Sequence, residues 1–163
     1  MGSVNDLIVH TLTFSQGLLE RYTADLSPED YLHHPVPKAN CAAWIIGHLI
    51  LTERKALEAA GVARLPELPE GFEKRIPREV TDTPADDYGD VTALIPLFKA
   101  HRGLLIEDVK SMTAEKLDKA LANPHPPLFT TLGDFLNFIG HHVSMHGGQI
   151  TLIRRSLGRP PVV

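Results

Sequence analysis

Cysteine is almost missing from this chain. A single one, Cys41, stands among 163 residues, so no internal disulfide can form and nothing calls for an oxidising compartment. A basic surplus is missing too: 16 Lys and Arg against 20 Asp and Glu give a formal net charge of −4. That leaves no cationic excess to neutralise phosphates and argues against nucleic-acid binding. No apolar run approaches the roughly 18 residues of a membrane span. The opening MGSVNDLIVH has neither the basic start nor the apolar core of a secretory leader. Asp6 stands where a myristoylation signal wants Ser or Thr. A soluble, cytoplasmic protein is expected. Alternating strand patterns of useful length are lacking, as are internal repeats and low-complexity tracts. No Ser-His-Asp arrangement, phosphate loop or dinucleotide glycine fingerprint is visible, and no residue stands out as a catalytic group.

What the chain does have is helical periodicity and, at 43% hydrophobic residues, enough apolar material for one core. Residues 1–163 read as one domain. A first helix is predicted over about 3–23, carried by Leu7, Ile8, Leu12, Phe14, Leu18 and Leu19. Ser27-Pro28-Glu29-Asp30 reads as a cap, a first-turn proline and acidic first-turn residues, and therefore as one short helix. Pro35 and Pro37 stop it. Asn40 then caps a second long helix, about 41–60, closed by Gly61. The third long helix covers about 90–112, with Leu94, Phe98, Leu105 and Val109 as its stripe and Pro96 confined to its first turns. A short helix is expected over Thr113–Leu121. The fourth long one spans about 132–157, between Thr131 as cap and Gly158, with Arg154, Arg155 and Arg159 favouring the negative end of its dipole. Residues 62–87 carry four prolines and little periodicity, a connection of the length that is usually functional or disordered. The predicted fold is all-α, a four-helix bundle with one long crossover.

The stretch GHHVSMHGGQI, residues 140–150, sets three histidines in what otherwise reads as a buried helix. His142 and His146 are four residues apart, about 400° of rotation, so they leave nearly the same face. Two imidazoles so placed can reach one metal ion, as in a zincin helix. Val143 stands where such a protease would have its Glu, which makes the protease reading poor. Phe135, Phe138, Ile139, Ile150 and Ile153 flank the pair and turn it toward the core. On the second helix, His48 lies in the apolar run AAWIIGHLILTE, with Cys41, Trp44, Ile45, Leu51 and Thr52 on or near its face. One inward histidine from one helix and two from another make a facial set of three, which leaves coordination positions open. The competing reading keeps the three as core histidines hydrogen-bonded to carbonyls or water, and a pH-sensitive core without metal is its extreme form. Gly47 and the pair Gly147-Gly148 point to close helix approach or to room for a ligand.

WIIGHL (44–49) and HHVSMHGGQI (141–150) together resemble the signatures of the DinB/YfiT-like superfamily. One is a Trp-x-x-Gly-His-Leu motif, and the other is His-x-x-x-His-x-Gly-Gln. His48 matches the first; His142, His146, Gly148 and Gln149 match the second. The resemblance, which extends to the order of elements, implies a four-helix bundle that is often a homodimer. It also implies three histidines holding a divalent ion such as zinc, nickel, iron or manganese. Characterised members implied by it are transferases and isomerases that use a low-molecular-weight thiol: mycothiol, bacillithiol or glutathione. The expected function is thus a metal-dependent enzyme acting on a small-molecule substrate, as a thiol-dependent S-transferase or isomerase or as a hydrolase. The alternative is a non-catalytic metal- or small-molecule-binding helical bundle in a stress response.

Gln149, one turn after His146, is placed to hold a ligand's orientation or to bond a neighbouring helix. His101, on the stripe of the third helix, reads either as a pocket residue near the metal or as a core histidine. His141 points about 100° away from His142 and is assigned to the surface, an interface or the surroundings of the site. His33, His34 and His125 fall in proline-rich connections, at solvent or a pocket rim. Cys41 is expected to be a small buried packing residue rather than a ligand.

Overall fold

Ser3, Ser27 and Thr131 each start a helix in the same way. The backbone is extended, the hydroxyl accepts from the N–H three residues on, and the aspartate there (Asp6, Asp30, Asp134) accepts from the cap's own N–H. This reciprocal capping satisfies two orphan donors per helix start and fixes where the elements begin. The computed structural model describes residues 2–77 and 88–162. Its elements are α1 (Val4–Thr23), α2 (Pro28–Tyr31), α3 (Ala42–Ala59), α4 (Phe72–Arg75), α5 (Leu94–Ser111), α6 (Ala114–Leu117), β1 (Ala120–His125), β2 (Phe129–Thr131) and α7 (Leu132–Ser156). Among the described residues the fold is all-α apart from one hairpin.

Each of the four long helices packs against two others: α1 and α3 both lie on α5 and α7. Thr11 meets Gly140 and Tyr22 meets Gly147, so α1 and α7 run parallel. Asn5 bonds the carbonyls of Val109 and Met112 while Glu20 pairs with Lys99, so α5 runs the other way. α3 opposes α7, since Trp44 and His48 lie beside His146 whereas Ala59 shares a cavity wall with Leu132. The neighbours α3 and α5 are therefore parallel, and parallel neighbours need a long connection. That is the physical reason for the proline-rich crossover.

Two apolar clusters fill the interior, one built around Trp44, Ile45, Phe98 and Ile153, the other around Leu12, Leu57, Leu105 and Leu136. Between them lies a buried ion pair. Arg102 of α5 is fully buried and binds Glu53 of α3 through both Nε, at 2.9 Å, and Nη2. Its Nη1 donates to the Leu12 carbonyl at 2.6 Å and to Ser15 Oγ at 3.0 Å on α1, and its guanidinium lies over the Phe98 ring. Burial pushes the Glu53 carboxyl up, against the opposing pull of Arg102. One charged side chain thus joins three of the four long helices.

The sequence expectations hold for most boundaries and fail at a few. Pro96 is the third residue of α5, behind a 3-10 turn (Val91–Ala93) capped by Asp90. The N-cap of α3 is Cys41, without a side-chain cap bond, rather than Asn40. The helix expected over Thr113–Leu121 ends at Leu117. Beyond it stands a hairpin where no strand was expected, pairing Ala120 with Thr131 and His125 with Phe129 around an irregular register and a cis Pro126–Pro127 bond. ALANPH carries a proline and no alternation, and its residues are mostly exposed, so it lacks the period-two signal of a half-buried strand. Leu7 and Phe14, expected on the inner stripe of α1, are exposed, while Ser15 and Thr23 are buried in their place. Of the 62–87 crossover, residues 78–87 lie outside the described residues; the remainder folds over α3, with Phe72 and Ile76 in the core.

Glu53→Gln removes one partner of a buried pair and is expected to destabilise the chain by about 3–5 kcal/mol in urea unfolding. The double variant Glu53→Leu/Arg102→Met should cost far less than the two single changes added together. Additive losses would show that the pair does not act as a unit.

Candidate metal centre

His48 is carried by α3, and His142 and His146 by α7. Four-residue spacing puts the α7 pair on one face, and antiparallel packing brings α3 across it. His142 Nε2 stands 3.3 Å from His48 Nε2 and 3.1 Å from His146 Nε2. The three ligand atoms all lie within 4.8 Å of one another. Two nitrogens each about 2.1 Å from a tetrahedral ion are separated by roughly 3.4 Å, so the two short edges match the spacing of a shared metal.

Ring packing fixes the imidazole planes. Trp44 stacks on His48, with centroids 5.0 Å apart and 4° between planes, and donates its indole N–H to the Pro77 carbonyl at 2.9 Å. Phe138 stacks on His142 at 5.2 Å and 22°. In both cases an aromatic residue precedes the histidine by four positions, where a helical side chain leaning toward the N-terminus meets its neighbour. The sequence reading put both aromatics beside the histidines but gave them no task, although this repeated spacing was available as a signal. Gly47, next to His48, would drive a Cβ to 2.4 Å from Ile76 Cδ1. Its lack of a side chain admits the crossover, not a facing helix. Gly147 makes room for Tyr22 of α1, whereas a Cβ on Gly148 would meet open space.

Protons cannot satisfy this arrangement. His146 Nδ1 lies 2.7 Å from Gln149 Oε1. A carbonyl oxygen only accepts, so Nδ1 carries the proton and the neutral ring aims a bare lone pair from Nε2. His142 Nε2 then either donates to His146, and cannot also accept from His48, or accepts from His48 and faces the lone pair of His146. A cation takes lone pairs from all three. Electrostatics favour the same state. Burial, then the neighbouring imidazole of His146, then Lys55 hold His48 down to about 4. Burial and the other two imidazoles hold His142 down to about 3. Burial also lowers His146, against the upward pull of Gln149. All three rings are neutral near pH 7, the form that binds metal.

The remaining candidates lie elsewhere. His101 is buried on α5; its Nδ1 contacts the Leu97 carbonyl at 2.9 Å, and among the described residues its Nε2 has no partner and no contact with the cluster. Burial lowers its pKa, and Arg54 adds to that. His141 is exposed. His33 bonds Ser156, His34 bonds the Ala39 carbonyl, and His125 sits exposed on the hairpin against Phe129. Cys41 is fully buried in the core. Arg154 and Arg155 occupy the last turn of α7, but Arg154 is buried and forks onto Asp25, while Arg159 pairs with Asp25 and Asp30. These ties between the chain's end and the α1–α2 corner had no local signal in the sequence.

Two outcomes follow from this geometry. The unfolded chain protonates His48 and His142 near pH 6.5, whereas the folded chain keeps them neutral down to about 4 and 3. Stability of chelator-treated protein is therefore complete above about pH 6.5 and falls as the pH drops toward 4; thermal unfolding at stepped pH should show this slope, and a flat profile would contradict it. Gln149→Ala frees the His146 tautomer and is expected to weaken metal binding by about 10- to 100-fold in a chelator competition titration.

Comparison with known families agrees with the two histidine motifs. The family model described as the DinB superfamily matches residues 11–150, a span that includes all three clustered histidines and Gln149. No curated protein matches the chain. The chain belongs to the DinB superfamily.

Proposed function

We propose that this protein is a metal-dependent enzyme in which His48, His142 and His146 hold one divalent ion, with zinc, nickel, iron and manganese all suited to the donor set. The observation that carries the reading is the convergence of three neutral Nε2 atoms from two helices at 3.1 and 3.3 Å spacings. One of the three has its lone pair fixed by Gln149. Three protein ligands leave positions free for a further group, the arrangement of catalytic rather than structural sites. When bound, such an ion lowers the pKa of a coordinated thiol or water toward neutrality.

The chain's own residues do the rest. Gln149 holds the His146 proton on Nδ1, and Trp44 and Phe138 hold the other two rings in plane. The same aromatic faces exclude water from one side of the cluster, while the half-buried histidine edges remain accessible on the other. No carboxylate belongs to the cluster among the described residues, so activation rests on the ion. This supports transfer or isomerisation of a small electrophile with a low-molecular-weight thiol, or its hydrolysis. We further propose a cytoplasmic homodimer. Exposed Leu7 and Phe14 on α1 and exposed Met145 and Leu152 on the adjoining α7 provide apolar surface for a second copy.

Protein purified without an affinity tag is expected to carry about one divalent ion per chain by inductively coupled plasma mass spectrometry. His48→Ala should lose the ion while keeping its helical content and most of its thermal stability. Metal that stays substoichiometric in the unaltered chain after reconstitution would refute the reading. A His48→Ala variant that unfolds with metal loss would instead indicate a structural site.

A further inference from the structure

Seven residues past His48 on α3 and seven before His142 on α7, Lys55 and Phe135 line a cavity of about 770 Å³. Seven helical residues are two turns, about 10 Å, and return to nearly the same face. The cavity therefore lies on the side of the α3–α7 seam that carries the histidines. Its third wall is the β1–β2 hairpin, through Ala120–Asn123 and Phe129. The volume falls in the range of small-molecule sites.

The walls have a definite chemistry. Phe129 and Phe135 face each other with centroids 4.7 Å apart, and Leu132 continues that surface. Phe129 also contacts Phe138 at 5.1 Å, and Phe138 stacks on His142. An aromatic wall thus runs from the cavity to the three-histidine cluster. Three charged residues line the space: Lys55, Glu58 and Lys119. Glu58 is engaged by Arg54, at 3.3 Å. Neither ammonium group has a carboxylate partner among the described residues, so the uncompensated charge in the cavity is positive.

We infer that this cavity binds the substrate and that the substrate is an organic acid with an apolar, ring-sized body. Lys55 and Lys119 hold its carboxylate, Phe129 and Phe135 take the apolar body, and the far end extends along the aromatic wall toward His142. Only that last feature rests on the metal-site reading; the acid-binding cavity does not.

Calorimetric titration of the chelator-treated full chain with 4-phenylbutyrate tests the inference without any ion to attract the carboxylate. One saturable site per chain is expected, with 4-phenylbutanol at least tenfold weaker. The double variant Lys55→Ala/Lys119→Ala changes two exposed side chains; it should keep the fold and bind the acid at least tenfold more weakly. Amide shifts on addition of the acid should centre on 120–123 and 129–135. No saturable binding, equal affinity for acid and alcohol, an unaffected lysine variant, or shifts centred elsewhere would each overturn the cavity assignment. Metal content measured on the same samples separates the two ideas. A chain that holds metal and ignores the acid loses only the cavity, and one that binds the acid but never metal loses only the metal centre.

Discussion

Crowding of neutral imidazoles at the α3–α7 seam is the constraint from which the other features of the site follow. His142 Nε2 lies at hydrogen-bond distance from both His48 Nε2 and His146 Nε2, yet the Gln149 contact, by fixing the His146 tautomer, leaves no proton arrangement that satisfies both contacts. Adding protons makes matters worse, because each imidazolium would sit half-desolvated beside two neighbours. Groups that repel protons and cannot satisfy each other are held together only by a rigid scaffold or by a cation, and this chain supplies the scaffold.

The rigidity comes from outside the site. Arg102 ties α3 to α1 and α5 between the two apolar clusters, so α3 is held against two helices at once. Ile76, seated over Gly47, and the Pro77 carbonyl on the Trp44 indole pin the first half of α3 from the crossover side. On the other side of the seam, α7 is fixed by Gly140 and Gly147 against α1 and by Arg154 on Asp25. His48, His142 and His146 therefore meet because their helices are fixed independently. This is the pre-organisation that a binding site for a charged ligand requires.

Local grammar made the elements legible, and long-range pairing stayed hidden. Ser27-Pro28, Thr131 and the closing Gly61 and Gly158 announce helix ends through chemistry that acts within a few residues, and the last two indeed adopt positive φ. The His142–His146 spacing fixes a shared face, so two of the three ligands are readable from one helix; adding His48 needs only that its apolar run face inward. Glu53 illustrates the limit. In LILTERKAL it looks like any surface glutamate, and its burial depends on an arginine 49 positions away. The hairpin was missed because its strands are short and exposed, and one contains a proline; it is placed by Phe129 packing on Phe135 and Phe138, a tertiary cause. The exposed Leu7 and Phe14 mislead in the opposite sense, since periodicity counts apolar residues without knowing which are covered.

X-ray absorption at the metal edge of the zinc-reconstituted chain addresses the central claim most directly. It should report three imidazole nitrogens at about 2.0–2.1 Å from one ion, with that imidazole shell reduced in His142→Ala. A first shell with one imidazole or none, or one unchanged by that substitution, would mean that the three rings do not share an ion.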